Sequence, residues 1–156
     1  MPESSHATPL SDVEAEIATA TQQGVVGLLG VETVALEPER VEIRLAVDGR
    51  VHQPHGVLHG GVSALLAETA ASLGGTLAAP PGHSVVGIEL NANHLRPMRD
   101  GVLTAVATPL RVGRTVQVWE ISLTDESGRE ICRSRCTLAV VKRTSHRPPS
   151  EGRTSS

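Results

Sequence analysis

A chain of 156 residues with 39% apolar side chains and a mean hydropathy near zero is long enough to bury one core and too short for two domains. A net charge of −3 gives no electrostatic footprint for nucleic acid, and no apolar run is long enough to cross a bilayer. With one Trp and no Phe or Tyr, the core must be built from Val, Leu, Ile and Ala, and a ligand pocket has no aromatic stacking partner except Trp119. Charge is unevenly spread: residues 1–95 carry eleven acids and three arginines, a balance of −8, whereas residues 96–156 carry eleven bases and six acids, a balance of +5.

In chain order, residues 1–9 are polar and read as a disordered N-terminus without the charged-then-apolar pattern of a signal peptide. Leu10–Gln23 reads as a short helix, with Ser11 and Glu14 spaced as a capping box, and Gly24–Gly30 breaks it. Val31–Leu36 and Val41–Val47 read as strands; in the second, Val41, Ile43, Leu45 and Val47 alternate with Glu42, Arg44 and Ala46. Glu37-Pro38-Glu39-Arg40 turns the chain between them. Past a second helix come four strand candidates, Ser84–Leu95, Gly101–Val112, Thr115–Thr124 and Glu130–Lys142. Their short connections predict a meander of antiparallel neighbours. The Pro/Ser-rich stretch 143–156 reads as a disordered tail, so residues 10–142 form the single domain. Cys132 and Cys136, four apart in one strand and roughly 13 Å from each other, are too far apart to bridge and suit a reducing, cytoplasmic setting.

The second helix organises the chain. Between Arg50 and Glu89 the only formal charge apart from histidines is Glu68. Val62, Leu65, Leu66, Thr69, Ala70 and Leu73 repeat at helical spacing, and Gly61, Ala64, Ala67, Ala71 and Ser72 form a small-residue face that carries Glu68. Such a helix is expected to be buried all round, with a second surface close against its small side. Gly74-Gly75 is expected to end or loosen it. An isolated carboxylate in apolar surroundings is either held by a partner or used in chemistry. Gly60-Gly61 opens the helix and leaves amide donors able to receive a polarised carbonyl.

These residues carry a resemblance. Gln53-x5-His59-Gly60-Gly61-x6-Glu68-x3-Ser72 resembles the hotdog-fold acyl-CoA thioesterases, in particular the 4-hydroxybenzoyl-CoA thioesterase branch with a catalytic glutamate. The phenylacetyl-CoA-type branch usually has Asp at that helix position. The likeness spans residues 20–142, and Gln, HGG and Glu together at these spacings are far more specific than HGG alone. The helix, two strands, helix, four strands order fits its α+β hotdog fold, a long central helix wrapped by a six-stranded antiparallel sheet. The resemblance implies hydrolysis of an acyl-CoA, with aromatic acyl groups among the candidates, to a carboxylic acid and free CoA, in dimers that often pair into tetramers.

The chemistry needs a carboxylate to attack the thioester or activate water, and donors for the developing oxyanion. Glu68 supplies the first; the Gly60 amide, aided by Gln53, supplies the second. Eight residues of helix separate Gly60 from Glu68 by roughly 12 Å, too far to share one carbonyl. The expected site therefore lies between two antiparallel copies of this helix. Ser72, one turn on, is expected to orient the carboxylate, and His59 to shape the loop. Arg96, Arg114, Thr115 and Arg143 are the candidates for the CoA phosphates, Arg114 and Thr115 through the resemblance. A three-histidine metal site at His52, His55 and His59 is disfavoured because Pro54 and Gly56 break their alignment, so no cofactor is expected. Gly61-Val62-Ser63-Ala64-Leu65 lacks the final glycine of a nucleophile elbow. The alternatives are a hotdog dehydratase or hydratase using His59 with Glu68, and a non-catalytic acyl-CoA binding protein.

Overall fold

The computed structural model describes residues 10–143. In chain order the elements are α1 (Leu10–Ala20), α2 (Gly24–Leu29), β1 (Glu32–Glu37), β2 (Arg40–Val47), a single 3-10 turn at Gly49–Val51, α3 (Gly60–Leu77), β3 (His83–His94), β4 (Gly101–Val112), β5 (Val116–Thr124) and β6 (Glu130–Lys142). The six strands form one antiparallel sheet in the order β1-β2-β4-β5-β6-β3, and α3 touches every strand of it. This is the long helix wrapped by a six-stranded sheet that the residue pattern predicts.

Alternation decides which side of each strand meets the helix. Val41, Ile43, Leu45 and Val47 of β2 are buried, as are Leu103, Ala105 and Ala107 of β4, Trp119, Ile121 and Leu123 of β5, and Cys132, Cys136 and Leu138 of β6. Each fully buried branched side chain contributes roughly 1.5–3 kcal/mol, so these rows of alternate residues supply the driving force for wrapping. Arg40 and Arg44 point outward and clamp Glu42 between them at 2.6 and 2.8 Å; the Arg40 hydrogen bond first, with both guanidinium charges, holds the Glu42 carboxyl below its usual range.

Three expectations need correction. Gly24–Gly30 does not simply break a helix; it contains α2, closed by Gly30 in the left-handed conformation at φ 72°. The chain β3 to β6 is not a plain meander: β4, β5 and β6 are, but β3 pairs with β6 at the sheet edge. Three strand spacings, about 14 Å, separate β3 from β4, and residues 95–100 can reach that far when extended, so a short link does not force neighbours. Finally, α3 runs through Gly74 and Gly75 to Leu77. A β-carbon at Gly74 would stand 2.5 Å from the Trp119 ring, so the two glycines admit β5 and β6 rather than stopping the helix. The Ala79 amide turns to the Thr76 carbonyl, and Gln117 Nε2 donates to the Gly75 carbonyl at 3.1 Å in its place. Trp119 Nε1 donates to Gln117 Oε1 at 2.9 Å, so this fully buried polar pair is satisfied. The two terminal stretches, 1–9 and 144–156, expected to be disordered, lie outside the described residues.

Candidate active site

The loop before α3 is a tight turn. Gly56, at φ 71°, donates its amide to the Gln53 carbonyl at 2.9 Å, with Pro54 at the position where a fixed φ suits the turn. Gln53 N donates back to the Val57 carbonyl at 2.8 Å, and the Gln53 side-chain Oε1 accepts from the His55 amide at 2.9 Å. With its oxygen occupied, Gln53 keeps its Nε2 hydrogens for another acceptor. The β3–β4 link holds this turn from outside: Leu58 N donates to the Met98 carbonyl at 2.7 Å, Arg99 to the Gly56 carbonyl at 3.2 Å, and His52 Nε2 lies 2.6 Å from the Arg99 carbonyl. His52 and His59 are thus turned to different partners, and among the described residues no three His, Cys, Asp or Glu side chains converge.

His59 is the N-cap of α3. Its Nδ1 accepts from the Gly61 amide at 2.8 Å, and its carbonyl receives Val62 N. Accepting at Nδ1 places the ring hydrogen on Nε2. The imidazole therefore caps the helix. No acceptor stands against the Gly60 amide among the described residues.

A cleft of about 310 Å³ at this helix end is lined by Gln53, Gly60, Ser63, His94 and Arg96, among others. His94 was not singled out from the sequence. Its Nε2 lies 2.8 Å from where a β-carbon of Gly60 would be, so any side chain there would expel the imidazole. The available signal was strand parity: Leu90 and Ala92 are half-buried on the helix side of β3, and His94 continues that alternation into the cleft.

Glu68 lies elsewhere. With Thr21, Val26, Thr69, Ser72 and Leu73 it lines a separate cleft of about 270 Å³ under the α1–α2 segment. Contrary to the expectation of a helix buried all round, Glu68 is exposed in the single chain. The residues of α3 that meet the sheet are Ser63, Leu66, Ala67, Ala70, Ala71, Gly74 and Gly75, drawn from both predicted faces, because the close strands demand small side chains there. Val62, Leu65 and Leu73 are half-buried and pack against the core. Ser72 shares the Glu68 cleft but forms no hydrogen bond with its carboxylate; the Ser72 carbonyl receives Thr76 Oγ1 at 2.8 Å. Burial pushes the Cys136 thiol up to about 11, with the charges of Glu68 and Glu89 adding to it, and both cysteines are buried free thiols.

The four phosphate candidates do not cluster within one chain. Arg96 sits at the Gly60 end, donating to the Glu130 carbonyl at 2.7 Å. Exposed Arg114 and Thr115 occupy the β4–β5 turn, and Arg143, whose amide donates to the Gly82 carbonyl at 2.9 Å, follows β6 at that same far end. The 13 residues of β6 span roughly 40 Å between the two ends.

Comparison with known proteins agrees with this architecture. The family model described as thioesterase superfamily matches residues 55–132. The chain is 46% identical over 120 residues to a 1,4-dihydroxy-2-naphthoyl-CoA hydrolase of Listeria monocytogenes, covering 77% of this chain and 98% of that one. It is 45% identical over 127 residues to the proofreading thioesterase EntH of Cronobacter turicensis, covering 81% and 93%. A crystal structure of a Haemophilus influenzae thioesterase superposes with a TM-score of 0.77 at 42% identity, covering 91% of this chain and 96% of that one. With the helix-wrapping sheet and these relatives together, the chain belongs to the hotdog-fold thioesterase superfamily and is a thioester hydrolase.

Proposed function

We propose that the chain hydrolyses an acyl-CoA in a site shared by two copies, with Glu68 of one facing Gly60 and Gln53 of the other. The observation that carries this reading is the separation of the two halves: the amide donors line one cleft and the carboxylate lines another, eight residues along the same helix. Each half is open to solvent and lacks what the other has. Antiparallel pairing of two α3 helices across Gly61, Ala64 and Glu68 completes two sites at once. The thioester oxygen then accepts from the Gly60 amide and Gln53 Nε2, whose own oxygen is already engaged. Either Glu68 takes a proton from the attacking water and passes it to the departing sulfur, or Glu68 attacks the carbonyl carbon, CoA leaves as the thiolate, and water then cleaves the mixed anhydride to restore the Glu68 carboxylate. In both routes the C–S bond breaks, one water is consumed, and the products are the carboxylic acid and free CoA.

The same pairing carries the Arg114–Thr115–Arg143 end of one copy towards the Arg96 end of the other, which gathers the four phosphate candidates. The cleft beside Glu68, walled by Val26, Leu73, Thr21 and Thr69, receives the acyl group. An aromatic acyl group is the favoured substrate, as for the Listeria hydrolase named above. Free, buried Cys132 and Cys136 suit a reducing cytoplasm. The hydratase reading is weaker because the His59 ring is spent on capping Gly61.

Subunit complementation tests the shared site. Glu68→Gln and Gln53→Ala proteins are each expected to be inactive, and mixing them under exchange conditions restores one intact site per mixed dimer. Thiol release that stays at background after mass spectrometry confirms exchange would confine each site to one chain.

A further inference from the structure

The carboxylate of Glu68 has no hydrogen bond or ion pair among the described residues, yet a reacting acid must point in one direction. Its neighbour is Gly87 on β3. Glu68 Oε1 occupies the space that a β-carbon at Gly87 would fill, with Glu68 Cδ at 3.2 Å and Cγ at 3.6 Å from that position. Nothing in the backbone asks for glycine there: Gly87 is not among the glycines with positive φ, and glycine in a strand interior is a poor choice for stability. The pairing of β3 with β6 also shifts register between Gly87 and Glu89, which leaves Ile88 as an extra residue and bends the strand where the acid rests. β3 is the last strand of the sheet, so among the described residues its outer edge is unpaired at this point.

We propose that Gly87 is a positioning residue for Glu68: the missing side chain is the shelf on which the carboxylate lies, and it sets the direction of the reacting oxygen. This rests on Glu68 being the acid of the reaction. A β-carbon at residue 87 leaves the strand conformation unchanged and displaces the carboxylate by an ångström or more. Misplacement of that order costs on the order of 10- to 100-fold in rate.

The test is a set of variants read by kinetics and thermal unfolding. Gly87→Ala is expected to lower kcat about 10-fold or more with KM changed by less than about threefold, since residue 87 itself lines neither cleft that binds substrate. Thermal unfolding supplies a readout independent of activity. In a Glu68→Ala background the added methyl meets no carboxylate, so Gly87→Ala raises Tm there and fails to do so in the parent. In a Glu68→Asp background, where the acid is one methylene shorter, adding Gly87→Ala costs less in kcat than it does in the parent. Wild-type kcat in Gly87→Ala, alongside an inactive Glu68→Gln, overturns the positioning role and leaves the catalytic acid standing. An active Glu68→Gln overturns both. If Gly87→Ala does not fold in the parent, folding in the Glu68→Ala chain identifies the carboxylate as the obstacle, and failure in both chains overturns the proposal.

Discussion

The two faces of α3 are made from similar small residues and answer to different demands. On the inner face, Ala67, Ala70, Ala71, Gly74 and Gly75 are small because the strands come close: Trp119 lies over Gly74, and Leu138 over Gly75. On the outer face, Gly61, Ala64, Glu68 and Ser72 are exposed or half-buried, and Glu68 and Ser72 share a cleft with Thr21 and Val26 of their own chain. A small residue in a helix says only that something approaches. The inner set receives the chain's own core, and the outer set holds the one acid of the helix with a surface left to be met.

If that division is right, substitutions on the two faces separate stability from turnover. The largest effect is expected from Trp119→Ala. It empties the space against Gly74 and removes the donor from Gln117 Oε1 in a fully buried setting. Such truncations cost about 3–5 kcal/mol, visible as a drop in the denaturant midpoint. A loss below about 1 kcal/mol would mean that the inner face is loosely packed and the glycines need another explanation.

Glu68→Gln is the matching change on the outer face. Turnover is expected to fall at least about 100-fold, a barrier increase of about 2.7 kcal/mol, while unfolding free energy stays within about 0.5 kcal/mol of the parent. Wild-type thiol release from this variant would break the comparison outright, because the outer face would then carry no chemistry.

How much of this was legible follows from what each signal measures. Strand alternation and short turns gave six strands and one long helix because hydrophobic period reports the face each residue presents. The edge position of β3 was not legible, since link length bounds a distance without naming the neighbour. Gly74-Gly75 looked like a stop for the same kind of reason: glycine's intrinsic cost in a helix is local, whereas the Trp119 ring that demands it lies 45 positions away. In the candidate site, Glu68 stands out by charge isolation and Gly60 by opening the helix, whereas Gln53 and His59 are picked out by the motif that carries the resemblance. His94 and Gly87 are not, because their meaning lies in what touches them across the sheet-to-helix interface. The exposure of Glu68 was misread for a related cause. A run of uncharged residues marks surfaces that avoid water, and it cannot distinguish covering by the same chain from covering by another.

The smallest effect is expected outside α3, and it calibrates both faces by touching neither. Asp125 opens the β5–β6 turn, where its Oδ1 accepts from the Ser127 hydroxyl at 2.7 Å, the Ser127 amide at 3.0 Å and the Arg129 amide at 2.9 Å, while Arg129 pairs with Oδ2. The Ser127 hydroxyl first, then the Arg129 amide and guanidinium, hold the Asp125 carboxyl down at about 2. Because the folded value lies below the unfolded one, the ionised turn favours folding at all pH above about 4, and that contribution disappears as pH falls towards 2. Asp125→Asn removes the charge and keeps the shape. Its unfolding midpoint should lie slightly below the parent's at pH 7, and the two should converge between about pH 4 and pH 2, with thiol release at pH 7 unchanged. A gap that persists undiminished down to pH 2 would assign the turn's contribution to hydrogen-bond geometry rather than to charge. A fall in turnover at pH 7 would show that the turn, which shares a cleft of about 460 Å³ with Pro97, Met98 and Arg99, reaches the Gln53 loop through the β3–β4 link.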